Sequence, residues 1–419
     1  MLKVFSGILD EDLENKRPLP CRILDAGSGV GVLGICAAGA IKAAVSPMEH
    51  EKSSLYVRAQ DRDELARVFS EYNARQNNLG PEILEAFTEP LLAGSGPWDL
   101  ILSNIPAKAG LPVLEDFINR SAALLNPGGR ALIVAVNTLS DFFDHQIQTN
   151  ALLLNRNDGP GYTVYVYTRK EDSIPLTYLT KDDFFIQCPA YIRNRANYEM
   201  EKTSYHLETI HGAAGFDTPS GEVLAAAKLT LKLKKEIQDL LIPHSSLLTP
   251  NFLILEPDQG HFSTWLVHYL KYPMNMVLAG RNILSLTMAR YNTSLALEKY
   301  FKTETYNEKF NIISTGTSVQ MISAADLYLE KEKILTCIQS FDNEIRAFPF
   351  IAAFPELIPQ TSTIEYLWKG IKALASGLII ISFSSAEAER FDKKKPKGFT
   401  RLGDIRRNGF RALAYRKLL

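Results

Sequence analysis

The sequence predicts an α/β protein of two similar blocks, each a mostly parallel, twisted sheet with helices on both faces. Three observations point there. Short apolar runs alternate with helix-length amphipathic patterns, a glycine-rich turn follows the first run, and the order of elements recurs after about residue 250. The 419 residues also exceed the roughly 100–200 of a single domain.

In the first block, Arg22–Asp25 is a short strand entering the turn DAGSGVGVLG, and Val32–Ala44 carries small and apolar residues at helical density. Leu55–Ala59 reads as a strand, Asp63–Asn77 as an amphipathic helix and Asp99–Leu102 as a buried strand. Pro112–Leu125 is helical, Asn126-Pro127-Gly128-Gly129 a turn, and Arg130–Val136 and Tyr162–Tyr167 are strands. The second block repeats the order with strands at Phe252–Leu255, Met276–Leu278, Phe348–Phe354, Leu378–Phe383 and Ala412–Tyr415. Helices lead to about Tyr300 and cover Thr363–Ala375. Strands joined through helices take right-handed crossovers, which makes the sheets parallel. The domain expectation is 1–170, a linker and lead-in at 171–245, and a second domain at 246–419.

Composition excludes several classes. Hydrophobic residues make up 46% and charged residues 22%, a globular balance and not a disordered or fibrous one. No apolar run approaches the roughly 18 residues of a membrane helix, so no membrane partner is expected. Cys21, Cys36, Cys188 and Cys337 show no paired spacing and read as buried thiols of a cytoplasmic protein. His206, His211, His244, His261 and His268 have no ligand spacing and no acid cluster beside them, so no metal is expected. The net charge of −1 is unevenly placed: eleven Lys/Arg and two Asp fall between Arg390 and Leu419, on an otherwise acidic chain. That basic end fits a local anionic partner.

The glycine turn is the first chemical signal. A strand-to-helix turn offers free backbone N–H groups, and Gly27 and Gly29 let a ligand lie against the backbone. Gly29-Val30-Gly31-Val32-Leu33-Gly34 fits G-x-G-x-x-G. A dinucleotide site expects its acid about 20 residues on; here the strand-end Asp61 lies 32 residues after Gly29.

The ordered set DAGSGVGVLG (25–34), AQDRDELARVFSEYNARQNNL (59–79), WDLILSNIPAKAG (98–110), NPGGRALIVAVNTL (126–139) and GYTVYVYTRK (161–170) resembles the class I S-adenosylmethionine-dependent methyltransferases. More narrowly it is similar to the small-methyltransferase-domain family, which includes ribosomal RNA guanine-N2 methyltransferases. The resemblance implies two tandem Rossmann-like domains and S-adenosylmethionine as cofactor. It implies cofactor contacts from Asp25, Gly27, Ser28, Gly29, Asp61, Arg62, Thr88 and Asn104, with Asp61 on the ribose in preference to Asp63. The adenine contact falls near Phe87-Thr88-Glu89.

The family pattern Asn-Pro-Pro-aromatic appears here as Asn104-Ile105-Pro106-Ala107. An exocyclic amine is a poor nucleophile because its lone pair is delocalised into the ring. Acceptance of its hydrogens by the Asn104 amide oxygen and the Ile105 carbonyl, with Pro106 fixing the backbone, orients that lone pair for in-line transfer. Ala107 lacks the ring that would stack on a flat target, worth about 1–3 kcal/mol for a base. The expected activity is N-methylation of a ribosomal RNA base amine. Methylation of a protein glutamine amide, and a non-catalytic adaptor that binds RNA or cofactor, are the alternatives.

Block two aligns Glu256, Asp258, Gly260 and Phe262 with Asp25, Gly27, Gly29 and Gly31, Gly280 with Asp61, and Ala353 with Asn104. These losses predict a silent domain. The stretch LETIHGAAGFDTPSGEVLAAAKL (207–229) is similar to the family's lead-in, and the 24 residues before Asp25 show no counterpart. In the basic end, Phe391, Phe399, Phe410 and Tyr415 interleave with cations, so base stacking is expected there, with Lys393, Lys394, Lys395 and Lys397 on RNA phosphates.

Overall fold

The computed structural model describes residues 1–44, 55–93, 96–171, 188–213, 215, 217–241, 249–301, 319–323, 331–339, 347–355 and 363–418. The chain divides into two compact units, Met1–Ile192 and Arg193–Leu419. Both are α/β, and the two sheets repeat one strand order.

The first unit opens with helix α1 (Leu2–Glu14), which buries Phe5 and Leu9 in one core cluster with Leu100, Leu132 and Val166. A helix therefore does precede the first strand, where the sequence showed no counterpart of the lead-in. Strand β1 (Arg22–Ala26) feeds α2 (Val32–Ala44), whose small residues allow close approach to the sheet: a Cβ on Gly34 would stand 3.0 Å from Val57 Cγ1. Then follow β2 (Tyr56–Asp61), α3 (Glu64–Gln76), β3 (Leu84–Thr88), β4 (Trp98–Asn104) and α4 (Leu111–Ala123). The unit ends with β5 (Leu125–Val136), α5 (Ser140–Asn150), β6 (Leu152–Gly159) and β7 (Tyr162–Thr168). The order across the sheet is β3-β2-β1-β4-β5-β7-β6. Neighbours from β3 to β5 are parallel, while β7 runs antiparallel to β5 and β6. The expected turn at Asn126–Gly129 is an excursion inside β5: Trp98 pairs with Leu125, and pairing resumes at Leu100 with Arg130.

The second unit starts with a two-stranded ribbon, β8 (Ile192–Met200) and β9 (Thr203–Ile210), followed by α6 (Gly221–Lys232) and α7 (Lys234–Leu241). Its sheet comprises β10 (Asn251–Leu255), β11 (Asn275–Gly280), β12 (Val319–Ser323), β13 (Phe348–Ala353), β14 (Ala375–Ser384), β15 (Phe399–Arg407) and β16 (Phe410–Lys417). The helices between them are α8 (His261–Leu270), α9 (Ile283–Tyr300), α10 (Lys331–Gln339), α11 (Thr363–Leu374) and α12 (Ser385–Lys393). The order β12-β11-β10-β13-β14-β16-β15 matches the first unit strand for strand. In both, the order reverses between the first and fourth strands, which opens a crevice beyond their carboxyl ends.

Candidate functional site

The carboxyl ends of β1, β2, β3 and β4 carry Ala26, Asp61, Thr88 and Asn104, so the sheet itself brings the sequence-predicted residues to one edge. Ser103 Oγ donates to the Ala26 carbonyl at 2.8 Å and ties the fourth strand to the first. The turn after β1 places Gly27, Gly29 and Gly31 at φ of 73°, 54° and 86°. Side chains of α3 hold it: Ser70 Oγ donates to the Gly29 carbonyl at 3.0 Å, and Asn73 Nδ2 donates to the Val30 carbonyl at 2.9 Å. Sequence reasoning missed both roles, although their separation of three residues puts them on one helix face.

Asp61 accepts from the Gly29 N–H and the Asp63 N–H, each at 3.0 Å, and is half-buried. Asp63 is spent as the N-cap of α3, accepting from the Leu65 N–H at 2.8 Å. Asp25 is fully buried. One carboxylate oxygen accepts from the Gly34 N–H at 2.7 Å, and the other, Oδ1, meets no hydrogen-bond partner among the described residues. Burial pushes this carboxyl up to about 7, and the charge of Asp61 adds to the effect against the Gly34 bond. Ser28 Oγ is likewise buried without a partner among the described residues.

Thr88 and Glu89 are engaged elsewhere. The Thr88 hydroxyl is buried and bonded to Glu64, while Glu89 pairs with Arg58 at 2.6 Å. The Arg58 guanidinium lies 3.6 Å from the Phe87 ring centroid. Gln60, fully buried, donates to the carbonyls of Pro90, Leu91 and Ala93 and so fixes the loop after β3. Arg62 is half-buried at the start of α3, beside Asp61. Asn104 is exposed at the end of β4, Ile105 is buried, and Pro106 (φ −71°) leads into the tight turn Ala107–Ala109, where Ala107 is exposed. Among the described residues, neither the Asn104 amide nor the Ile105 carbonyl has a hydrogen-bond partner. No helix described is long and apolar enough to cross a membrane, and among the described residues no group of His, Cys, Asp or Glu is placed to hold a metal.

The second unit corrects the alignment read from the sequence. Gly27 N–H donates to Gln60 O as Glu256 N–H does to Ala279 O, and Gly31 N–H to Ser28 O as Gly260 N–H does to Pro257 O. Glu256, Asp258 and Gly260 therefore match Gly27, Gly29 and Gly31, and all three keep positive φ, at 49°, 48° and 95°. Asp25 matches Ile254, and Phe262 falls on Leu33, two residues from the expected register. Strand pairing (Ile23↔Leu100 against Phe252↔Phe350) sets Asn104 opposite Phe354, not Ala353. The Phe354 ring packs 5.1 Å from that of Phe262. The cradle backbone thus persists in the second unit with its open space filled. A Cβ on Gly280, the match of Asp61, would lie 2.7 Å from the Glu256 carboxylate.

The basic end also differs from expectation. Phe391, Phe399 and Tyr415 are buried around Trp368, with Phe391 stacked on it at 4.2 Å, and the Phe410 ring lies against Gly221. Phe399 and Tyr415 on β15 and β16 and Phe391 on α12 share one core cluster, so these three rings are not available to bases. Lys393 pairs with Glu389 and Lys394 with Glu365, both at 2.8 Å. Lys395 donates to the Phe399 carbonyl, and Lys397 is exposed. Cys21 is half-buried, Cys36 exposed and Cys188 buried, so the thiols are not uniformly interior; the Cys337 side chain lies outside the described residues.

Residues 5–148 match the methyltransferase small domain family. The first unit carries a methyltransferase small domain. Over 135 residues the chain is 32% identical to a ribosomal protein L11 methyltransferase of Bradyrhizobium diazoefficiens, covering 31% of this chain and 40% of that one. A protein of the same description from Rhodopseudomonas palustris is 35% identical over 101 residues, 23% of this chain and 30% of that one. The match thus spans less than half the length of either relative. A solved T. thermophilus 16S rRNA N2-guanine methyltransferase, in complex with AdoMet and guanosine, covers 98% of this chain and 92% of its own at TM-score 0.57 and 14% identity. That likeness shows the fold of both units as Rossmann-like. S-adenosylmethionine, the family's methyl donor, is cationic at its amine and sulfonium. Asp25 Oδ1 and Ser28 Oγ, without partners among the described residues, together with the Asp61 carboxylate and the side-chain-free face at Gly29, fit such a group.

Proposed function

We propose that the first unit is an S-adenosylmethionine-dependent N-methyltransferase acting on an exocyclic base amine, guanine N2, of ribosomal RNA. The observation that carries the reading is Asn104, exposed at the strand-order reversal with its amide and the Ile105 carbonyl unspent. Gly27, Ser28, Gly29 and Asp25 would hold the methionine end of the donor, and Asp61, with Arg62 beside it, the ribose. The donor supplies a methyl group made electrophilic by its sulfonium. The Asn104 amide oxygen and the Ile105 carbonyl accept the two amine hydrogens. That acceptance turns the nitrogen lone pair out of conjugation and along the line of transfer. Pro106 keeps the carbonyl aimed by removing backbone freedom. Thr88 and Glu89, held by Glu64 and Arg58, shape the loop after β3 and leave the adenine contact to its backbone.

The second unit, with a filled cradle, serves as an RNA-binding or supporting domain in this reading. Exposed ion pairs such as Lys393–Glu389 and Lys394–Glu365 contribute little to stability, so these lysines and Lys397 can exchange onto phosphates.

The exposed Ala107 and the two relatives named for a ribosomal protein favour a second reading, a protein amide substrate oriented by the same Asn104. Ribosomal particles from a strain lacking the protein, incubated with the purified protein and labelled donor and then separated into RNA and protein, decide between them. Label in methylguanosine supports the base reading; label in protein alone overturns it.

A further inference from the structure

The repeated cradle exposes a difference between the units that the proposed chemistry does not use. In the second unit, strand β9 lies across the turn and the helix that follows β11. Asn292 accepts from the Glu208 N–H at 3.0 Å and donates to its carbonyl at 2.8 Å, while the Gln259 side chain accepts from the Ile210 N–H at 2.7 Å. His261 bonds the Tyr205 hydroxyl at 2.9 Å and meets the Tyr198 ring edge-on. Gln259 and His261 are buried under these bonds, and Met288, one helical turn before Asn292, is buried as well.

The matching positions of the first unit are Val30, Val32, Phe69 and Asn73. No strand precedes β1 among the described residues of that unit, and the face is open: Val30, Val32 and Phe69 are 45%, 51% and 47% exposed, with Tyr72 beside them at 53%. Asn73 keeps the bond to the turn that Asn292 makes to the Gln259 carbonyl, at 2.9 Å in both. Its Oδ1, which in Asn292 takes the strand's N–H, has no partner among the described residues.

We infer that this strip is a docking site for an extended polypeptide segment of a protein partner. The segment lays apolar side chains on Val30, Val32 and Phe69 and pairs one peptide group with Asn73. The occupant is a polypeptide because the seat retains the side-chain amide that grips a peptide unit in the second unit, and because Val30, Val32 and Phe69 present apolar surface and no charge. A bound strand would roof the glycine turn as β9 does its counterpart. The inference goes beyond the methyl-transfer reading and stands on the repeat alone, so its test contains no methyl donor.

The probe is a synthetic peptide with the sequence of residues 203–212, labelled at its amino end and titrated by fluorescence polarisation against the full chain. The expected result is saturable one-to-one binding that Val32→Ser and Phe69→Ser each weaken about tenfold, a loss of the size apolar burial gives. Both side chains are exposed, and unchanged melting temperatures verify that the variants fold. Absence of saturable binding up to about 1 mM overturns the inference. So does binding indifferent to both substitutions, which would place the peptide in the second unit. A single-stranded RNA oligonucleotide run in parallel gives the last outcome: if RNA and not peptide loses affinity in Phe69→Ser, the strip belongs to RNA and the inference falls.

Discussion

Replacing Gly29 by the residue that stands at its match in the second unit isolates the cradle's function from its fold. Gly29 sits at φ 54° and Asp258 at φ 48°, and a Cβ built on Gly29 meets no atom within 4 Å. Gly29→Asp therefore adds no clash. It costs the left-handed backbone penalty, about 1 kcal/mol for an Asp, plus repulsion from Asp61, whose carboxylate accepts the Gly29 N–H. A total of about 1–2 kcal/mol lowers the melting temperature of a unit this size by roughly 2–8 °C. The new side chain projects into the space a ligand would use, so affinity for S-adenosylmethionine should fall about 100-fold or more. Thermal melts with calorimetric titration of the full chain read both quantities. A variant that melts as predicted yet binds the donor within threefold of wild type refutes the cradle assignment. One that fails to fold refutes the matched register.

Asn104→Ala should leave donor affinity unchanged and cut turnover by about 100-fold or more, since the side chain orients the acceptor amine and not the donor; unchanged kcat on the true substrate contradicts it. Asp25 holds its proton to about pH 7 in the folded state and only to ordinary carboxylate values in the unfolded chain. Its contribution to stability is therefore full below about pH 4 and is lost as pH rises through 7, at most about 4 kcal/mol. Asp25→Asn should flatten that part of the stability–pH curve, and an unchanged slope in chemical unfolding speaks against it. Changing Lys393, Lys394, Lys395 and Lys397 together to Ser should weaken RNA binding with donor binding intact. The slope of log affinity against log salt should flatten by about 0.7 for each phosphate no longer neutralised, and an unchanged slope places the RNA elsewhere.

The parallel core was legible because buried strands such as Arg22–Asp25 and Phe252–Leu255 are continuous apolar runs bounded by turn residues. The edge was not. Strand β6 is exposed along nearly its whole length, and LLLNRNDG carries no alternation to mark it. Strand β8 and helix α12 escaped because IRNRANYEM and SAEAERFDK are rich in charge, and β9 because TSYHLETI interleaves polar residues with its few apolar ones. Within the site, Asp61 was readable from its place at a strand end. The bond of Thr88 to Glu64 was not, because it joins side chains 24 residues apart. The register error in the second unit has a simple cause. Glycines and acids serve as equivalent landmarks when two stretches of sequence are laid side by side, whereas the backbone keeps positive φ at Glu256 and Asp258, where glycine is the ordinary choice. The aromatic residues of the basic end misled because spacing shows that rings alternate with cations but not which face of β15 and β16 is buried.

The account rests on one working cradle per chain, in the first unit, with the second filled by Glu256, Asp258 and Phe354. Calorimetric titration of S-adenosylmethionine into the full chain tests this most directly. A stoichiometry near one that Asp61→Ala abolishes is the predicted result; two sites, or one site that survives Asp61→Ala, would contradict it.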